Sequence, residues 1–237
     1  MQLYDAIFQR KSCRSYLPTP LSEKTLNEID KAVASFAPLY PDMPLTHRFT
    51  SQAKGLSVAQ APHYLIISGR GLEGERENAG FLYEHLALWL DAHDIGCIWL
   101  GGAKDKAKNP NGKDIIAIAL GQASEPVHRN RGDFKRQPIE EITNDPGDAC
   151  VQAVHMAPSG LNLQPWYIEK KGDTAIFHKK LPRPPASLIY KFTDLDMGIA
   201  LCHYALGCEQ MGKPFAFKRL SGASPMKGYE LFGEVRS

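Results

Sequence analysis

Apolar residues along the chain fall into short stretches of alternating helical and strand character. Leu3, Ile7 and Phe8 make one face of a short helix, and the pattern breaks at Arg10-Lys11-Ser12-Cys13-Arg14, which places that polar cluster at the helix end. After Pro18 and Pro20, Ser22 is positioned to cap a helix with the stripe Leu26, Ile29, Val33 and Phe36, ending at Ala37-Pro38. The run from His63 to Ser68, closed by Gly69, predicts a buried strand. A helix is expected from Phe81 to Ala92, with Leu82, Leu86, Trp89 and Leu90 on one face and Gly80 and Gly96 as its bounds. Cys97 to Leu100 follows as a strand, then a Gly101-Gly102 break, and Ile115 to Gly121 is a further strand. Arg70 and Arg76, among Gly69, Gly71 and Gly74, read as part of a solvated loop.

The second half follows the same order. Pro138 to Ile142 introduces a helical stretch ending at Ala157-Pro158, as Pro20-Leu21 introduces one ending at Ala37-Pro38. Gln164 to Ile168 stands where Gln60 to Leu65 stood, a long helix from Leu195 to Met211 ends at Gly212, and Tyr229 to Gly233 answers Ile118 to Gly121. We read an internal duplication, with halves at residues 1–137 and 138–237 forming one compact unit. The pattern predicts an α+β fold.

Composition narrows the function. Lys and Arg total 28 against 26 Asp and Glu, a net charge of +2, which provides no field for nucleic acid or an anionic membrane. The longest purely apolar run, Ile115 to Leu120, is far too short to span a bilayer, and Arg10-Lys11 interrupt the start before a secretory signal forms. The five cysteines are scattered and lack a Cys-x-x-Cys pair, so they read as reduced thiols and the expected location is the cytoplasm. Cys202-His203 with Cys208 reads as core packing, and no metal site is assigned. No Gly-x-Gly-x-x-Gly follows a strand, which argues against a Rossmann dinucleotide site.

Two segments carry candidate chemistry. Arg10-Lys11-Ser12-Cys13-Arg14 offers two guanidiniums, an ammonium and a hydroxyl, donors suited to a phosphate monoester. Ala157-Pro158-Ser159-Gly160-Leu161-Asn162-Leu163-Gln164-Pro165-Trp166 is a turn rich in amides and hydroxyls, suited to the edge of a planar heterocycle. The eight histidines are dispersed, and no catalytic acid or base is assigned.

In combination with Ile98 to Gly102 and Lys135 to Glu141, these segments resemble the flavin-dependent nitroreductase family. The resemblance covers most of the chain. It implies a nitroreductase-like fold, a mostly antiparallel central sheet flanked by helices. It implies FMN as cofactor, with Arg10, Ser12 and Arg14 on the phosphate and ribityl chain, and Lys11, Lys135 or Arg136 assisting. Pro158, Ser159, Gly160, Asn162 and Gln164 match the loop against the isoalloxazine ring, and Leu100, Gly101 and Gly102 match the backbone that approaches its reactive side. The order departs from the family pattern, whose Ser/Asn loop comes early in the chain. Here Ala37-Pro38-Leu39-Tyr40 holds the early position without Ser or Asn, and the intact loop lies in the second half. The second half lacks an Arg-x-Ser-x-Arg. This is similar to the single-chain, pseudo-dimeric subfamily, and implies a monomer with one composite FMN site. The implied reaction is NADH- or NADPH-dependent, ping-pong reduction of a small nitro, quinone or related acceptor. A flavin-binding protein without turnover is the alternative.

Overall fold

A computed structural model describes residues 1–55, 58–107, 112–181 and 190–237. The chain divides into two units, Met1–Asp133 and Phe134–Ser237. Lys135, Arg136 and Gln137 thus fall in the second unit, where side-chain and backbone hydrogen bonds tie them to residues 155–164.

The first unit opens with α1 (Leu3–Ile7) and α2 (Glu23–Ser35). Ser22 caps α2 as expected: its Oγ accepts the Thr25 N–H at 3.1 Å, and Ile29, Ala32 and Val33 are buried. Then come β1 (Thr46–Thr50), β2 (Ala53–Lys54), β3 (His63–Gly69), α3 (Glu75–Ala92), β4 (Ile95–Leu100), β5 (Lys104–Asp105) and β6 (Lys113–Gln122). The main sheet has the order β1-β3-β6-β4, antiparallel throughout, and β2 pairs with β5. Leu65 to Ile67 and Ala117 to Leu120 form the centre of its core.

The second unit contains α4 (Ala149–His155), β7 (Trp166–Lys171), β8 (Thr174–Lys180), α5 (Tyr190–Gln210), β9 (Ala216–Arg219) and β10 (Tyr229–Arg236). Its sheet has the order β7-β8-β10-β9 and is again antiparallel. Gly207 lets α4 and α5 pack closely: a Cβ there would lie 2.7 Å from Cys150 Cα. Cys202, His203 and Cys208 are all buried on α5, and His203 Nδ1 lies 2.9 Å from the Ala153 carbonyl oxygen.

Several expectations are corrected. The helix expected from Phe81 starts earlier, at Glu75, because the Glu75 carboxylate accepts the N–H groups of Arg70, Gly71 and Leu72 at 2.6, 2.7 and 3.1 Å and closes the preceding turn. Gly74, at φ +93°, is the residue before the helix; Gly80 is interior and Arg76 is helical, not in a loop. The helical stretch expected from Pro138 to Ala157 is broken. A single 3-10 turn at Ile139–Glu141 is followed by Thr143, whose Oγ1 donates to the Ile168 carbonyl at 2.8 Å. Pro146 and Gly147 prevent helix until Asp148 caps α4 through Val151 N–H. Strands β1, β2, β5, β8 and β9 had no expectation.

The landmark matching is also shifted by one strand. By order in the chain and place in the sheet, β1 corresponds to β7 and β3 to β8, whereas the sequence landmarks set Gln60 to Leu65 opposite Gln164 to Ile168. β1, Thr-His-Arg-Phe-Thr, has only one strongly apolar residue and left no hydrophobic signal.

Candidate functional site

In the first unit, residues 10–17 leave α1 in extended form. Cys13 N–H donates to the Cys97 carbonyl at 2.9 Å, Leu17 N–H to Gln122 at 2.8 Å, and Arg129 Nε to the Arg10 carbonyl at 3.0 Å. These bonds fix the segment against β4 and the chain beyond β6. They draw Arg10 inward, to 2% exposure, although a free guanidinium prefers water. Arg10 Nη2 donates to Ser12 Oγ at 3.3 Å, while Nη1 is buried without a protein partner. Such an orphaned cationic donor is costly unless an anion completes it.

Arg14 is exposed, and its Nη1 donates to the Ser12 carbonyl at 3.4 Å. Arg10, Ser12 and Arg14 therefore come together. Lys11 turns aside to Glu125, with Nζ 3.3 Å from Oε2. A pocket of about 210 Å³ is lined by Lys11, Ser12, Cys13, Arg14, Glu125 and Pro126, among others. Behind it, Asp91 lies 3.4 Å from His128, and burial pushes its carboxyl up to about 6, against the pull of His128 and Arg10. Burial raises the Cys13 thiol and pushes Cys97 up to about 12, which makes both poor nucleophiles.

Leu100 ends β4 with its side chain in the apolar cluster of Tyr64, Ile66, Ala103, Ala117 and Ala119, so only its main chain is available to a ligand. Gly101 and Gly102 form an exposed turn closed by Ala103 N–H to the Leu100 carbonyl at 3.3 Å.

In the second unit, Lys135, Arg136, Ser159, Asn162 and Gln164 build one network. Arg136 donates to Asn162 Oδ1 at 2.9 Å and to the Met156 carbonyl at 2.8 Å. Asn162 Nδ2 donates to the Lys135 carbonyl at 2.7 Å, Gln164 N–H to Ser159 Oγ at 2.8 Å, and Gln137 N–H to Gln164 Oε1 at 3.0 Å. This network holds Leu161, Asn162 and Gln164 at φ +51°, +58° and +48°. Left-handed backbone at non-glycine residues costs roughly 1 kcal/mol or more each and persists only where surroundings impose it. The loop thus presents its Gly160 to Leu163 stretch to solvent in a fixed, strained shape.

A family model described as "Putative TM nitroreductase" matches residues 2–208. The chain belongs to the nitroreductase family. A solved "putative nitroreductase" from Thermotoga maritima is 22% identical, with TM-score 0.66, over 98% of this chain and 94% of that one. A nitroreductase family protein from Clostridium difficile is 16% identical, with TM-score 0.50, over 60% of this chain and 96% of that one. A further "putative nitroreductase", from Desulfovibrio desulfuricans and solved in complex with FMN, is 19% identical, with TM-score 0.44, over 60% of this chain and 94% of that one. No curated protein matches. No helix among the described residues is long and apolar enough to cross a membrane.

Within this nitroreductase-family chain, two residues that fix the loops escaped sequence reasoning. Gly160 N–H donates to Asp196 Oδ1 at 2.9 Å; Asp196, on α5, is 2% exposed and its Oδ2 has no partner. Burial pushes its carboxyl up to about 7, against the Gly160 hydrogen bond. In the first unit Tyr40 N–H donates to Asn78 Oδ1 at 3.1 Å, and Asn78, on α3, is fully buried. Neither stands out in the sequence, since Asn78 directly follows Glu75-Arg76-Glu77 and Asp196 lies two residues after Asp194.

Proposed function

We propose that the chain is an FMN-dependent oxidoreductase that passes electrons from NADH or NADPH to a small nitro, quinone or related acceptor. The observation that carries this reading is the buried Arg10 guanidinium with Nη1 unmatched beside Ser12, a donor that a phosphate monoester would complete. When bound, FMN supplies two-electron chemistry by accepting hydride from the nicotinamide and delivering electrons to the acceptor in a separate half-reaction.

The chain's own residues bind and orient. Arg10, Ser12 and Arg14 hold the phosphate end. Lys11 has first to leave Glu125 to assist. Main-chain groups at Leu100, Gly101 and Gly102 approach the ring. Pro158, Ser159, Gly160, Asn162 and Gln164, stiffened by Lys135 and Arg136, form the loop against which the ring lies. No side chain is assigned as acid or base.

The matching strand orders support descent from a duplication. The residue two after Pro38 donates its N–H to a buried side chain on the long helix of the first unit, and the residue two after Pro158 does so in the second. Because the Arg-x-Ser-x-Arg segment remains in one half and the Ser/Asn loop in the other, we expect one FMN per chain in a cytoplasmic monomer. Purified, desalted protein should be yellow and should bleach with NADH or NADPH without oxygen. Colourless protein that FMN fails to reconstitute overturns the reading, and a flavin that neither nicotinamide bleaches identifies a binding protein without turnover.

A further inference from the structure

We propose that Asp196 is a positioning residue, a proton-controlled latch that holds the Gly160–Asn162 turn in its strained shape and thereby sets flavin affinity. The functional half of this statement rests on the flavin reading above. The latch itself rests on geometry.

Asp196 makes one described hydrogen bond, from Gly160 N–H to Oδ1 at 2.9 Å. Its other oxygen is buried without a partner. Gly160 lies directly over the carboxyl, because a Cβ built on it would come 3.7 Å from Oδ2 and 3.9 Å from Oδ1. Gly160, Leu161, Asn162 and Leu163 are themselves exposed, so the cover between carboxyl and solvent is thin.

Among the described residues, no cation compensates a charge there. Asp194 on the same helix disfavours ionisation and is itself paired with Lys179 on β8, which also meets Glu230 on β10. Arg136, from the segment beneath the loop, is engaged by Asn162 Oδ1 and the Met156 carbonyl. His155 on α4 lies 2.7 Å from the Gln137 carbonyl. The neutral acid is the less costly form here: one oxygen accepts from Gly160, and an unpaired O–H costs less to bury than an unpaired carboxylate. Loss of the proton leaves an anion with a single hydrogen bond, and water reaches it most easily by lifting the turn above it. The turn is therefore held below neutral pH and loosened above it.

The test uses the whole chain and its Asp196→Asn variant, which keeps the acceptor for Gly160 N–H and removes the titration. Hydrogen exchange of the apoprotein between pH 6 and 8.5, corrected for intrinsic rates, should show protection of the Gly160 amide falling at least fivefold in the parent and staying within twofold in Asp196→Asn. Equal pH dependence in both overturns the latch, as does a flat profile in the parent, a result obtainable even if the variant fails to fold. Fluorescence titration with FMN should then show affinity falling at least fivefold over the same range in the parent only. FMN binding with the same pH dependence in both proteins disconnects the latch from the flavin. FMN binding in neither protein at any pH overturns the flavin reading, while the exchange result still decides the latch.

Discussion

Tyr40 and Gly160 each stand two residues after a proline, and each donates its N–H to a buried oxygen on the long helix of its own unit, at 3.1 and 2.9 Å. The acceptors differ. Asn78 is an amide whose two ends are both matched, since its Nδ2 also donates to the Met43 carbonyl at 2.9 Å and to the Tyr40 carbonyl at 3.4 Å. Asp196 is a carboxyl with one oxygen matched and the other orphaned. The first loop is half-buried at Pro38, Leu39 and Tyr40, whereas the second projects Leu161 at 78% exposure on left-handed backbone. Two turns with the same N–H-to-helix bond thus differ: one is settled and half-buried, the other strained and exposed. The strain of the second turn is held by its hydrogen-bond network, and backbone outliers of this kind cluster at ligand sites, which is the role proposed for this loop.

The largest expected effect separates the two acceptors by pH. Burial raises the folded-state pKa of Asp196 from 3.8 to about 7, so the folded chain binds the extra proton in that window. Its stability is therefore undiminished below the unfolded value and falls as pH rises through the folded one. At about 1.4 kcal/mol per pKa unit, the loss approaches roughly 4 kcal/mol above neutral pH, an upper bound if the loop opens first. Urea unfolding from pH 4 to 8 should show Asp196→Asn gaining on the parent as pH rises; parallel curves would refute a buried, titrating carboxyl.

The exchange in the other direction should be harmful. Asn78→Asp removes the donor to Met43 and Tyr40 and places a carboxylate in a fully buried position. We expect a loss of about 3 kcal/mol at pH 7 by the same unfolding measurement. A neutral result would mean that the first turn has the tolerance we assign to the second.

A third contrast lies outside the loops, in the Arg-x-Ser-x-Arg segment that only the first unit carries. A charge-assisted hydrogen bond contributes about 1.5–3 kcal/mol, so Arg10→Ala should weaken FMN on the order of 10- to 100-fold and leave riboflavin, which has no phosphate, nearly unchanged. Calorimetric titration with both ligands decides it. Equal losses would move Arg10 from ligand binding to folding.

These contrasts mark how far the sequence could be read. Elements with a clear apolar stripe or run, such as α2, β3 and β6, were legible because burial of one face decides them. β1 was not, since an edge strand needs few apolar residues, and β9, with Phe217 between Ala216 and Lys218, shares that difficulty. The start of α3 was hidden because Glu75 acts through three backbone amides, an arrangement with no apolar signature. At the site, Arg10, Ser12, Asn162 and Gln164 stood out as polar residues concentrated in short segments. Asn78 and Asp196 did not, because each sits among other polar residues, Glu75 to Glu77 and Thr193-Asp194, and only the folded chain shows which of them turns inward to a loop amide.

The smallest effect is also the most selective between the two loops. Asn162→Ala removes the acceptor for Arg136 and the donor to the Lys135 carbonyl, and it places alanine at φ +58°, where asparagine is better tolerated. Because the site is exposed, the expected cost to stability is only about 1 kcal/mol, but the loop loses the pins that hold its shape. Tyr40→Phe removes a contact from the hydroxyl to Glu77 at 3.5 Å and leaves the N–H bond to Asn78 in place. If the ring lies against the second loop, Asn162→Ala should shift the visible absorption bands of the bound flavin and weaken it severalfold, while Tyr40→Phe leaves both unchanged. The opposite pattern would transfer the flavin loop to the first unit and make the strain at Leu161 and Asn162 a feature without a ligand.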